Sequence, residues 1–73
     1  MMTPRQIAQH RVDKFNRSHQ VGSKVTYLKS EVEGRQITTV DKPAFIQGDD
    51  MPMVVLAGIG TALIDKVEPY FGS

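Results

Sequence analysis

A chain of 73 residues with no cysteine, 40% apolar and 23% charged residues and a net charge of +1 has the balance of one small globular domain. The missing thiols exclude a disulfide framework, a thiolate zinc or iron–sulfur site and a cysteine nucleophile. A domain of this size buries only about 60% of its unfolded surface, which leaves room for one core and no separate catalytic domain. No apolar run approaches the roughly 18 residues of a membrane span, and the first residues lack the pattern of a secretion signal. The expectation is a cytoplasmic domain with no membrane partner. The small net charge hides an asymmetry. Residues 1–35 carry Arg5, Arg11, Lys14, Arg17, Lys24, Lys29 and Arg35 against Asp13, Glu31 and Glu33, and residues 36–73 carry Lys42 and Lys66 against five acids. No Lys/Arg run reaches the block length of a polyanion-binding tail.

The first element is a helix. Thr3 suits the N-cap, Pro4 the first helical position, and Gln6 the third residue of a capping box. Met2 and Ile7 occupy the positions of a hydrophobic staple. At about 100° per residue, Ile7, Ala8, Val12 and Phe15 share one side, with Arg11 at its margin, while His10, Lys14 and Arg17 gather opposite. This predicts a helix over about 3–17 that docks through Phe15.

From Gly22 the period changes to that of strands. Lys24 to Lys29 alternates, with Val25 and Tyr27 on one face. Glu33-Gly34 signals a turn, and Gln36 to Val40 is rich in β-branched residues. Asp41-Lys42-Pro43 reads as a break, Ala44 to Gln47 as a third strand, and Met53 to Ala57 as a continuous apolar strand covered on both faces. Gly58-Ile59-Gly60 connects to a fifth strand at Thr61 to Ile64. Asp65 is placed to cap a single helical turn through Val67, and Pro69 ends regular structure. The predicted fold is α+β, mainly β: an N-terminal helix, then a five-stranded antiparallel small barrel of SH3-like type over about 22–68, then a tail at 69–73. Short consecutive strands favour antiparallel pairing, and curling into a barrel limits exposed edges. An OB-like barrel is the alternative, though it needs longer strands. The predicted core is Phe15, Val25, Tyr27, Ile37, Phe45, Val55, Leu56 and Ile64.

Phe15-Asn16, Val21-Gly22, Val25-x-Tyr27, Gly34, Pro43-Ala44, Pro52-x-Val54-Val55, Gly58-x-Gly60 and Ile64-x-x-Val67-Glu68 form a ladder of landmarks over residues 15–68. The ladder resembles that of a loose family of short uncharacterised proteins encoded in phages, prophages and related bacterial genomes. The resemblance implies a shared small-barrel fold and no catalytic assignment. The chain departs from the family near Leu28, where common members carry a tryptophan or second aromatic.

Candidate chemistry is sparse. His10 and His19 have no third ligand near them in sequence, Asp49-Asp50 lacks the spaced ligands of a calcium loop, and Gly58-Ile59-Gly60 is too short for a dinucleotide fingerprint. No serine sits in a nucleophile elbow. The expectation is a protein that is not an enzyme and takes no cofactor and no metal. Two functions remain. One is a protein-interaction module, its partner an unidentified protein or a second copy, with the edge near Met51 and Met53 or the Tyr70-Phe71 tail as apolar surface. The alternative is nucleic-acid binding through His10, Lys14 and Arg17 on the helix, with Lys24 and Lys29. Small barrels in that role present stacking aromatics, and this chain has three Phe, two Tyr and no Trp. The candidate binding surface is therefore His10, Lys14, Arg17, Lys24, Tyr70 and Phe71.

Overall fold

A computed structural model describes residues 1–30 and 32–70. Helix α1 (Pro4–Ser18) is followed by β1 (Lys24–Ser30), β2 (Gly34–Gln47), β3 (Met51–Leu56), β4 (Gly60–Leu63), a 3-10 turn (Ile64–Lys66) and β5 (Val67–Pro69). The helix begins where the capping box places it. Thr3 Oγ1 accepts the Gln6 N–H at 3.2 Å, and Gln6 Oε1 accepts the Thr3 N–H at 2.8 Å. Ala8, Val12 and Phe15, spaced four and three residues apart, are its buried face. Ile7 lies one residue off that stripe and stays exposed, as does Met2, so the staple adds little burial.

The five strands form one antiparallel sheet in the order β4-β3-β2-β1-β5. The long β2 holds it together: its first half pairs with β1 and its second half with β3. The expected break at Asp41-Lys42-Pro43 is absent, and the two short strands predicted on either side of it are one strand of 14 residues. Register irregularities on both sides of Lys42 absorb the proline. A bulge is one of the few places in a sheet where a residue without an N–H costs no ladder bond.

The barrel expectation is corrected by this topology. β4 and β5 are the two edges of the sheet; they follow each other along the chain through the 3-10 turn and do not pair. The sheet is open, neither an SH3-like nor an OB-like barrel. A sheet closes to bury a face and remove its edges, but here α1 lies against β2 and β3 and covers the face instead. The edges stay short, four and three residues, which limits unwanted pairing. β5 starts at Val67, where the expected helical turn was to end, and only its last residue, Pro69, falls in the expected tail. It pairs with β1 at Val25–Pro69, Thr26–Glu68 and Tyr27–Val67, and an edge strand tolerates a terminal proline.

The core lies between helix and sheet: Val12, Phe15, Val25, Val40, Ala44, Val54, Leu56 and Ala62, with Tyr27, Ile46, Ile59, Ile64 and Val67 packed around them. Of the predicted core, Phe15, Val25 and Leu56 are buried and Tyr27, Val55 and Ile64 half-buried. Ile37 and Phe45 are on the wrong side, 57% and 38% exposed. In β2 the inward residues are Thr38, Val40, Ala44 and Ile46, so their neighbours Ile37 and Phe45 point away. A one-residue error of phase moves every side chain of a strand to the other face.

Two hydrogen bonds lock the helix onto the sheet. Asn16 Oδ1 accepts the Ala44 N–H at 2.7 Å, and Asn16 Nδ2 donates to the Ala44 carbonyl at 3.2 Å. A second lock is the hydroxyl of buried Thr38, which donates to the Ala57 carbonyl at 2.6 Å. Between α1 and β1 the chain turns through Gly22 at φ +92°, a value L-residues avoid, and the Gly22 N–H reaches the Val40 carbonyl at 2.8 Å.

Phe15→Ala is expected to cost about 3–5 kcal/mol, the range for a buried Phe. That is about the whole stability of so small a domain, so circular dichroism should show an unfolded chain; an unchanged melting curve would mean that the helix does not dock through Phe15. Asn16→Ala leaves both polar groups of Ala44 without their partner and should cost about 1–3 kcal/mol in urea titration. Asn16→Asp should recover little of this, because a carboxylate cannot donate to the Ala44 carbonyl.

Candidate functional site

Two surfaces stand out. The first is a groove of about 540 Å³ beside the last two turns of α1, bounded by Arg11, Lys14, Phe15, Ser18 and His19 on the helix side. Ile64 and Asp65 of the 3-10 turn and Pro69 of β5 form its other wall. The Phe15 and His19 rings touch at 4.9 Å between centroids, tilted by 49°. Arg11 closes one end by donating to Asp65 Oδ1 at 2.6 Å. Both partners are at least half exposed, so this bridge from helix to turn is worth less than its length suggests.

Ser18, His19 and Asp65 are residue types that make up hydrolytic relays, but the groove does not assemble one. Asp65 is engaged by Arg11, and Ser18 and His19 are chain neighbours at the helix end with the imidazole on Phe15. Among the described residues no group of three or more His, Asp or Glu side chains converges on a common point, and no helix is long and apolar enough to cross a membrane.

The second surface is the face of the sheet turned away from α1. Strand register sets Phe45, Met53 and Leu63 side by side across β2, β3 and β4. The next row is Lys42, Val55 and Thr61, and Met51 follows Met53 on the same side of β3. Across β5, β1 and β2 the same face carries Glu68, Thr26 and Ile37, with Arg35 Nε 3.6 Å from Glu68 Oε2. The face is thus apolar over β2–β4 and polar over β5–β1. Among the described residues no helix or turn covers it.

The residues singled out from sequence do not form one cluster. Lys14 lines the groove, while His10 and Arg17, one helical turn to either side of it on the same face of α1, are exposed outside the groove. Lys24 lies on β1 with its ammonium 5.5 Å from the centre of the Tyr70 ring. Tyr70 borders a separate hollow with Thr26, Arg35, Ile37, Glu68 and Pro69, so Pro69 stands between it and Lys14. Phe71 lies outside the described residues. The sequence pattern puts Met51 and Met53 on an apolar edge but Phe45 and Val55 in the core. The pairing that unites Phe45, Met53 and Leu63 spans three strands and has no local signal. Comparison with protein-family models, with curated proteins and with solved structures finds no match to this chain.

A double-mutant cycle on Arg11→Ala and Asp65→Ala should give a coupling of about 0.2–1 kcal/mol that fades as salt is added. A coupling that is larger and indifferent to salt would mean that the pair is not solvated.

Proposed function

We propose that this protein is a non-catalytic protein-interaction module that docks through the apolar half of its open sheet face. The observation that carries the reading is the row Phe45, Met53 and Leu63 on three hydrogen-bonded strands. Side chains on a regular sheet are held in place before binding, so less entropy is lost when a partner covers them. An aromatic beside a methionine and a leucine, free of charge at its centre, has the composition of an interface core. The cytoplasm is the proposed place of action. The landmark ladder supports a place beside the short phage- and prophage-encoded proteins. Its residues do structural work here: Asn16 ties to Ala44, Val25 and Val54 are core, and Gly22, Gly34, Gly58 and Gly60 all have positive φ.

Nucleic-acid binding is the weaker reading. Of the aromatics, Phe15 is buried, Tyr27 packs against the core, Phe45 faces away from the helix, and Tyr70 already carries Lys24. Among the described residues no exposed aromatic adjoins the basic side of α1, and without a stacking platform the scattered cations supply little affinity.

The test is retention of partners by immobilised protein, comparing the parent with Phe45→Glu and with the triple change Lys14→Glu, Arg17→Glu, Lys24→Glu. The changed positions are exposed and should each alter stability by no more than about 0.5 kcal/mol. The expected result is a protein partner kept by the triple variant, lost by Phe45→Glu, and bound equally between about 50 and 200 mM salt. Tight binding of mixed-sequence DNA or RNA that collapses over that range would overturn the proposal.

A further inference from the structure

The geometry points to a second site, in the groove beside α1, for a small aromatic carboxylate. Its flat apolar body lies between the helix and Pro69, and its one negative charge lies at Lys14. This site is separate from the sheet face and stands without it.

Size and lining come first. At about 540 Å³ the groove falls within the roughly 300–1,000 Å³ of small-ligand sites, which are mostly apolar with a few converging polar groups. Phe15 on one wall and Ile64 and Pro69 on the other are apolar. The His19 ring, 4.9 Å from that of Phe15 between centroids, extends the aromatic part of the helix wall. Rings pack on such a wall by offset or edge-to-face contact.

Charge selects an anion. Arg11 and Asp65 neutralise each other at one end of the groove. Lys14 is left as its uncompensated full charge: among the described residues the ammonium makes no ion pair. Three and four residues away along the helix stand His10, Arg11, Arg17 and Ser18, none of them acidic. The carboxylate of Asp13, next to Lys14 in sequence, accepts from Gln9 Nε2 at 3.0 Å. Like charges at this helical spacing repel. A carboxylate beside Lys14 is attracted by it and offsets its repulsion from Arg11 and Arg17. The Ser18 hydroxyl supplies a second donor on the same wall.

The other wall favours a small ligand over an extended peptide. A peptide lying along a sheet edge draws its affinity from main-chain hydrogen bonds to the edge strand. Here β5 has three residues, and the one that lines the groove, Pro69, has no N–H to offer. The Arg11–Asp65 bridge also closes one end, where a longer chain would have to pass.

The test compares 2-naphthoate with its uncharged analogue 2-naphthamide, each titrated into the full chain and followed by proton–nitrogen correlation spectra. 2-Naphthoate should bind one to one and shift the amides of Ser18, His19 and Asp65, not those of β3 and β4. 2-Naphthamide should shift the same amides with an affinity lower by about two- to fivefold, the range for one solvated ion pair. Lys14→Gln, an exposed change, should weaken 2-naphthoate by about that factor and leave 2-naphthamide unaffected. Phe45→Glu should leave the affinity for both unchanged, so failure here is told apart from failure of the sheet-face reading. No shifts up to the solubility of the ligands, or shifts centred on β3 and β4, overturn the site. Equal affinity for the acid and the amide, or a Lys14→Gln variant that binds both as the parent does, overturns the recognition of charge. An acetylated tetrapeptide ending in phenylalanine that binds more tightly than 2-naphthoate overturns the choice of a small ligand.

Discussion

The carboxamide of Asn16 is the contact on which the rest of this fold depends. It donates and accepts on the same residue, Ala44, as a neighbouring strand would. A helix residue thus stands in for a strand on one side of β2 and satisfies a backbone that would otherwise sit part-buried and unpaired. The same contact fixes how α1 lies over the sheet. With Phe15 adjacent in sequence and buried in the core, position and burial are settled by two consecutive residues. Because Ala44 is held inward, Phe45 must point outward.

This arrangement explains why the sheet stays open. Five strands following one helix could bury their apolar residues by curling shut, and in a chain this short curling is the obvious economy. Here the helix supplies the cover. Once α1 lies on β2 and β3, a second layer already exists and the pairing of β4 with β5 has nothing left to bury. The long β2 serves both halves of the sheet, and its irregularities around Lys42 let it bend from one set of partners to the other.

The two exposed surfaces differ in kind. The groove beside α1 is closed at one end by the Arg11–Asp65 bridge, and the His19 ring lies against Phe15. The open sheet face has the reverse character, with few polar groups over β2–β4 and a rigid hydrogen-bonded frame. That rigid, mostly uncharged frame is why the face rather than the groove supports the functional reading.

Local chemistry determined the helix start, because a capping box satisfies backbone groups within four residues and needs no partner elsewhere. It determined the turns at Gly22, Gly34, Gly48 and Gly58, where positive φ favours glycine whatever surrounds it. It also determined that Phe15, Val25 and Leu56 are buried. The continuity of β2, the strand at Val67–Pro69 and the open topology were decided only by tertiary structure. Proline marks a break in isolation, but a bulge or a sheet edge removes its penalty, and both depend on partners far along the chain. The side of the sheet that Ile37 and Phe45 occupy is of the same kind. A run of β-branched and aromatic residues is compatible with either phase, and the choice between them came from Asn16 reaching Ala44, 28 residues away. The row of Phe45, Met53 and Leu63 exists only because that choice was made.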